Sequence, residues 1–162
     1  MAFARTAVTK ADDASLPDIR RGGVFFAADP RSMEGKIRSM TGTVVALALA
    51  GAAGTLARFT LSSFVQRIAG NAFPWGTLAV NLTGCFLYGL LLALAERRLH
   101  LDPHIRNVVF IGFMGAFTTF SSLISDTGHM AREGVFVAAG HLIAHNTLGL
   151  GVFFLGARLG SL

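Results

Sequence analysis

Glycine and hydroxyl residues interrupt one stretch of the chain that is otherwise apolar enough to cross a bilayer. Residues 107–125 carry no charge, yet residues 112–125 contain two glycines and five serine or threonine side chains. A span takes about 20 residues, and lipid cannot hydrogen-bond backbone groups that a break in the helix leaves free. Discontinuous membrane helices commonly carry ion sites, because their unwound carbonyls coordinate ions. This stretch therefore predicts a membrane protein that handles an ion.

The natural break lies at residues 115–118, where unwound carbonyls suit a small cation such as Na⁺, since hard cations take oxygen ligands. Thr119 and Ser122 lie three apart on one helix face. Phe120 and Leu123 share the next face. Hydroxyl donors beside the positive edge of an aromatic ring suit an anion. The alternative is that these hydroxyls only bond back to carbonyls of the preceding turn.

Other polar side chains also fall inside predicted spans. Asn81 lies nearly two turns into its helix, and its spacing favours neither an anion donor nor an interhelical hydrogen-bonding group. Arg58 carries a charge deep in a span, which indicates a buried role unless the side chain snorkels to the interface. His141 and His145 lack a nearby carboxylate in sequence and the HExxH pattern. They indicate the lining of a wet pathway or interhelical hydrogen bonding rather than a metal site.

The composition places these residues on membrane helices. Hydrophobic residues make up 52% of the chain, charged residues 14%, and the mean hydropathy is +0.58. These values are too apolar for an ordinary soluble domain, and a soluble bundle would need charged outer faces that the uncharged windows lack. We predict an all-α membrane protein whose four helices cover residues 42–67, 75–95, 105–130 and 134–158.

The chain divides near residue 40. Residues 1–40 are rich in charge and predict a disordered, cytoplasmic extension or an overlong gene start, whereas residues 41–162 form the transmembrane domain. The extension contributes +2 of the net charge of +5, and nucleic-acid binding is not indicated because the rest of the chain is apolar enough for a membrane. The positive-inside rule favours cytoplasmic termini. One four-helix subunit is too small to enclose a pore, so self-association through close glycine contacts is expected.

Four segments carry a resemblance to a known family: GAAGTLAR at 51–58, FPWGTLAVNLTG at 73–84, GFMGAFTTFS at 112–121, and the glycine-rich 149–160. Residues from about 43 to 160 resemble the Fluc/CrcB fluoride channels. The resemblance implies a fluoride-selective channel, not an enzyme, that gives passive efflux of fluoride from the cytoplasm across the bacterial inner membrane. It also implies four transmembrane helices with a broken third helix, in an antiparallel, dual-topology dimer embedded in lipid.

The resemblance also implies roles for particular residues. Gly115 and Thr118 would hold a structural Na⁺, which is not transported, through backbone carbonyls of both subunits. Asn81 would donate a hydrogen bond to fluoride, and Arg58 matches the structural arginine of the family's first helix. The residues expected along the fluoride pathway are Asn81, Thr119, Phe120, Ser122, Leu123 and His145.

Departures from the family pattern leave alternatives open. Leu123 stands where a second pore phenylalanine is usual, and His141 and His145 replace a tyrosine and a small hydroxyl residue. The chain would therefore form either a homodimer or a heterodimer with a paralogue. A proton-coupled small multidrug-type transporter would instead need a carboxylate within a span. The acidic residues near the spans are expected at helix ends or in loops: Glu96, Asp102, Asp126 and Glu133.

Overall fold

The computed structural model describes residues 30–99 and 101–162, and within these ranges every regular element is helical. Residues 1–29, which make up most of the predicted extension, lie outside the described residues. The α-helices are α1 (Pro30–Ala69), α2 (Trp75–Leu94), α3 (Pro103–Asn107), α4 (Gly115–Phe117), α5 (Phe120–Met130) and α6 (Val135–Gly160). Two π-helical segments, Ala95–Leu99 and Val108–Met114, extend α2 and join α3 to α4.

These elements give four helices that are long and apolar enough to cross a membrane: Met40–Ala69, Trp75–Leu99, Pro103–Met130 and Val135–Gly160. The prediction of an all-α protein with four spans is confirmed, and each predicted bound lies within four residues of the observed span. α1 itself starts at Pro30, well before residue 42. Charged residues end an apolar window without ending a helix, and proline suits a first helical turn because it lacks an N–H.

The third span is assembled from several short pieces. Thr118 (φ −83°, ψ 159°) and Thr119 (φ −146°, ψ 111°) have extended backbone between α4 and α5. Gly115 is helical, with φ −63° and ψ −35°, so the extended residues begin at the last position of the predicted 115–118 break. Two adjacent β-branched threonines favour extended backbone more than an isolated glycine does.

α2 and α6 approach each other so closely that glycine is required at the contact. A Cβ on Gly89 would overlap the carbonyl of Phe153, and a Cβ on Gly156 would overlap the carbonyl of Phe86. Since lipid provides no hydrophobic drive for helix association, such small residues let the backbones pack directly. The predicted packing role of glycine is therefore observed at these two positions, and it fixes the α2–α6 pair against which α5 lies.

The side chain of Gln66 organises the connection from α1 to α2. Its amide nitrogen donates to the carbonyls of Gly70 and Phe73, and its Oε1 accepts from the N–H of Gly76 at 2.9 Å. Gly70 has a φ of +83°, a left-handed conformation that favours glycine at a helix end. α2 then starts at Trp75, directly after Pro74. The connection thereby sets the position of Asn81 further along α2.

Large apolar side chains cover the outside of the described helices. Phe136 is 89% exposed, Phe120 72%, Phe59 69% and Leu49 68%. A surface this apolar fits contact with lipid or with another subunit rather than with water.

The α2–α6 contact predicts a difference between two glycines of α6. Gly156→Ala should lower the free energy of unfolding by about 1–3 kcal/mol, because the added methyl group forces the helices apart. Gly140→Ala is the matched control, since its Cβ would meet nothing within 4 Å, and it should leave stability unchanged or higher. Denaturant unfolding in detergent micelles, followed by circular dichroism, compares them. Equal losses at both positions would contradict the proposed close contact.

Candidate functional site

The side-chain amide of Asn81 holds the extended residues of the third span. Its Nδ2 donates to the Thr119 carbonyl at 3.1 Å, and its Oδ1 accepts from the Thr119 N–H at 2.9 Å. Asn81 therefore makes an interhelical hydrogen-bonded pair between α2 and the break. An amide nitrogen carries two hydrogens, so one N–H of Asn81 is not used by this pair.

This arrangement releases two backbone carbonyls from their usual partners. In a continuous α-helix, the Thr119 N–H would donate to the Gly115 carbonyl, but here it donates to Asn81. The Ser122 N–H would likewise donate to the Thr118 carbonyl, but it donates to the Thr119 hydroxyl at 3.2 Å. The carbonyls of Gly115 and Thr118 thus lose their i+4 donors in the middle of a span.

The hydroxyl groups of the break make two kinds of hydrogen bond. Thr118 donates back to the Met114 carbonyl at 3.1 Å, as the alternative of local bonding predicted. The Thr119 hydroxyl caps α5 by accepting from the Ser122 N–H, and it contacts the Ser122 hydroxyl at 3.0 Å and that of Ser121 at 3.3 Å. Local bonding therefore explains Thr118, whereas Thr119, Ser121 and Ser122 form a connected hydroxyl group.

A cavity of ≈ 450 Å³ lies where α2, α5 and α6 meet. Its walls include the Asn81 amide, the Tyr88 and Cys85 side chains, and apolar groups of α5 and α6. Five of the six predicted pathway residues line it: Asn81, Thr119, Phe120, Leu123 and His145. The structure thus brings together residues that are 64 positions apart in sequence, from Asn81 to His145.

A second cavity of ≈ 240 Å³ lies between α1, α2 and α5. Ser122, the sixth predicted pathway residue, lines this cavity rather than the first, and Thr119 lines both. Arg58 is half-buried and also lines it, together with hydroxyl side chains at 55, 62, 63 and 77. The Arg58 side chain therefore belongs to a small polar cavity.

The two histidines of α6 are buried, with 3% of His141 and 5% of His145 exposed. His141 Nδ1 lies 2.8 Å from the Thr127 hydroxyl of α5, so the expected interhelical hydrogen bond is observed. His145 contributes to the lining of the first cavity. Within the ranges that the structure describes, no three His, Cys, Asp or Glu side chains are grouped for metal binding.

Comparison with known proteins identifies the family. A family model described as CrcB-like protein, Camphor Resistance (CrcB), matches residues 45–157. The chain belongs to the CrcB family. The resemblance carried by the four sequence segments is therefore confirmed.

Curated relatives extend this result. A protein of Nitrosococcus oceani named Fluoride-specific ion channel FluC is 52% identical over 111 residues, covering 68% of this chain and 89% of the relative. A protein of Desulforapulum autotrophicum with the same name is 47% identical over 119 residues, covering 73% and 95%. These CrcB relatives are named channels, so the expectation of a non-enzyme is confirmed. Four candidate spans in an ion-channel family describe a multi-pass membrane protein.

Two residues that line the first cavity of this CrcB chain were not predicted from its sequence as pathway residues. Cys85 and Tyr88 lie four and seven residues after Asn81, so they lie on the same face of α2. Tyr88 also packs edge-on against Phe110, with ring centroids 4.9 Å apart. The helical spacing from Asn81 was the available signal, although it does not show which face of α2 meets the cavity.

The cap of α5 predicts the effect of changing Thr119. Thr119→Val keeps the shape of the side chain but removes the oxygen that accepts from Ser122, so stability should fall by about 0.5–2 kcal/mol. Thr119→Ser keeps the oxygen and should lose much less. Unfolding in detergent can be followed by the fluorescence of Trp75, the single tryptophan of the chain. Equal stability of the Val and Ser variants would argue against a cap.

Proposed function

We propose that this chain is a subunit of a fluoride-selective channel that allows passive efflux of fluoride from the cytoplasm across the bacterial inner membrane. The observation that carries the proposal is the first cavity, which joins an unused Asn81 N–H, the Thr119 hydroxyl and the Phe120 ring inside a four-span protein. The relatives named Fluoride-specific ion channel FluC agree with it.

The chemistry of the first cavity suits a small, strongly hydrated anion. A selective pore replaces the water of the ion with placed donors, yet it must bind the ion weakly enough to release it. Asn81 offers a neutral N–H, and the positive edge of the Phe120 ring offers a weak attraction. Arg58 lines the neighbouring cavity instead, so its full charge does not trap the ion in the first one.

The pathway is completed by a second subunit in this proposal. Phe120 lines the first cavity but is 72% exposed in the single chain, which suits a side chain that another subunit covers. We infer an antiparallel, dual-topology dimer with two pores, in which a second copy supplies the remaining walls and lipid surrounds the outer faces. A paralogue is the alternative partner, because Leu123 stands where a second pore phenylalanine is expected from the family resemblance.

The break in the third span would hold a structural Na⁺ at the centre of the dimer. The carbonyls of Gly115 and Thr118 lack their usual i+4 donors, and hard cations take oxygen ligands. Two such carbonyls from each subunit would supply four oxygens without any side-chain ligand. The ion would fix the break and add positive potential near the pores, and it would not be transported.

One observation favours the rival class, a proton-coupled transporter, and another argues against it. Asp126 lies in α5 near its end, as expected, but its Oδ2 is buried rather than solvated. Asp126 lines neither the first nor the second cavity. A transported substrate would have to contact the coupling carboxylate, so the channel is the better-supported function.

Fluoride transport and its dependence on Asn81 provide the first test. Purified dimer in liposomes should release fluoride and exclude chloride by a large factor. Asn81→Asp should abolish this flux, because it removes the N–H donor and places an anionic acceptor in its position. Asn107→Asp, at an exposed residue of α3, is the matched control and should retain flux. Fluoride efflux is followed with an ion-selective electrode.

Size-exclusion profiles of the same variants separate a pathway role for Asn81 from a purely structural one. An intact Asn81→Asp dimer without flux supports the pathway. If the variant loses the dimer, but the fraction that survives has normal specific activity, then the role of Asn81 is limited to its hydrogen bonds with Thr119. Equal fluoride and chloride fluxes in a well-folded dimer would refute the channel proposal.

The proposed Na⁺ site predicts opposite results for two variants. Thr118→Ser keeps the carbonyl and the hydroxyl, so dimer and flux should persist. Gly115→Val should lose both, because a branched side chain crowds the subunit interface. Within the single chain, a Cβ at Gly115 would meet only the Phe110 carbonyl, at 3.8 Å. A loss of dimer or flux in Gly115→Val would therefore indicate a clash at the dimer interface rather than within one subunit. Flux that scales with an imposed Na⁺ gradient at fixed membrane potential would instead indicate coupled transport.

A further inference from the structure

Three buried polar atoms of the described chain lack a hydrogen-bond partner, and all three belong to one region. They are Oδ2 of Asp126, Nε2 of His141 and Nε2 of His145. An unsatisfied buried polar group destabilises the fold, and such groups are few in native structures. Each unpaired atom therefore marks a position at which a ligand can bind.

The two imidazoles are in direct contact. Their ring centroids lie 4.4 Å apart with an edge-on arrangement, and Asp126 of α5 directly precedes Thr127, whose hydroxyl contacts His141. His145 lines the first cavity. We call Asp126, His141 and His145 the acid–histidine cluster, and it adjoins the proposed fluoride pathway through His145.

The hydrogen bonds of the rings indicate where their hydrogens lie. A carbonyl has no hydrogen to give, so His145 Nδ1 must donate to the His141 carbonyl, 3.3 Å away. The Thr127 hydroxyl gives its one hydrogen to the Leu123 carbonyl at 2.7 Å, and so accepts from His141 Nδ1. Each neutral ring then carries a lone pair on Nε2. The two rings thus present two acceptors at Nε2, and Oδ2 of Asp126 is the third unpaired atom.

Among the described residues, the groups that the structure places against the two histidines carry no positive charge. α2 presents Cys85 and Tyr88 across the first cavity. The connection between α1 and α2 presents the apolar ring of Phe73, whose centroid is 5.4 Å from that of His141. The half-buried Arg58 of α1 lies in the second cavity. Two ring acceptors beside a carboxyl group fit a proton as ligand, and among the described residues no group of three or more His, Cys, Asp or Glu side chains is suited to a metal ion.

We propose that the acid–histidine cluster binds one proton from water and that its occupancy increases fluoride conduction. The proton adds to a lone pair on Nε2, so an imidazolium forms beside the Asp126 carboxylate and nothing is oxidised or reduced. The bound proton neutralises a charge that repels fluoride and adds an N–H donor next to the first cavity. This coupling rests on the proposed channel function, whereas proton binding itself does not.

Proton binding is measured directly, without transport. Full-length dimer with ¹⁵N-labelled histidine rings is titrated in micelles from about pH 8 to pH 5, the range in which histidine changes charge. We expect Nε2 of His141 or His145 to change from a lone pair to an N–H, with resonances assigned from His141→Gln and His145→Gln. Asp126→Asn should weaken proton binding. Absence of any protonation at either ring would overturn the proposal.

The coupling is measured as the ratio of fluoride efflux at pH 6 to that at pH 8, after subtraction of efflux from protein-free liposomes. The native chain should conduct more at the lower pH, by at least about threefold, because a positive charge added beside the pathway attracts fluoride. His141→Gln removes one imidazole of the cluster and should lose the response. Because His141 does not itself line the cavity, this variant leaves the wall of the pathway unchanged. His129→Gln, at an exposed residue, is the matched control.

Asp126→Asn separates an electrostatic role from a structural one. Removal of the carboxylate should raise efflux at pH 8 towards the native value at pH 6, whereas a merely structural carboxylate predicts lower efflux at both. Protonation without any pH dependence of efflux would overturn the coupling. Absence of fluoride efflux at every pH from a folded dimer that still titrates would refute the channel function and the coupling, and would leave the proton site supported.

Discussion

The two hydrogen bonds between the Asn81 amide and the Thr119 backbone are the interaction on which the rest of the site depends. Extended backbone is costly in a membrane, because each unsatisfied N–H or carbonyl there costs several kcal/mol. Asn81 satisfies both groups of Thr119 at once. By taking the Thr119 N–H, it also deprives the Gly115 carbonyl of its helical donor. One side chain thus stabilises the break and exposes backbone oxygen to a ligand.

The position of Asn81 depends in turn on close packing by α2. Gly89 and Gly156 let α2 and α6 touch through their backbones, and Gln66 holds the connection that leads into α2. The first cavity forms where α5 packs against α2 and α6. Its wall at Phe120 remains open, so the packing of this chain explains the inner half of the cavity and leaves the outer half exposed.

Much of the fold could be predicted, because hydropathy alone distinguishes segments of about 20 apolar residues. The start of α1 was missed, since residues 30–39 include several charged side chains but form helix nonetheless. The interrupted segment of the third span was located from its glycines and hydroxyls. The extended residues begin at Thr118 rather than Gly115, because glycine tolerates a helix in this packed setting and the paired threonines, one of them a cap, favour extension.

The sequence by itself determined the four spans, the family and the polar residues available for an ion. The tertiary structure decided which cavity each residue lines and which polar atoms stay unpaired. The helical spacing of residues before the break does not predict which way the residues after it face, because the extended backbone of Thr118 and Thr119 interrupts the helix. For this reason Ser122 faces the second cavity, and Oδ2 of Asp126 is buried without a hydrogen-bond partner.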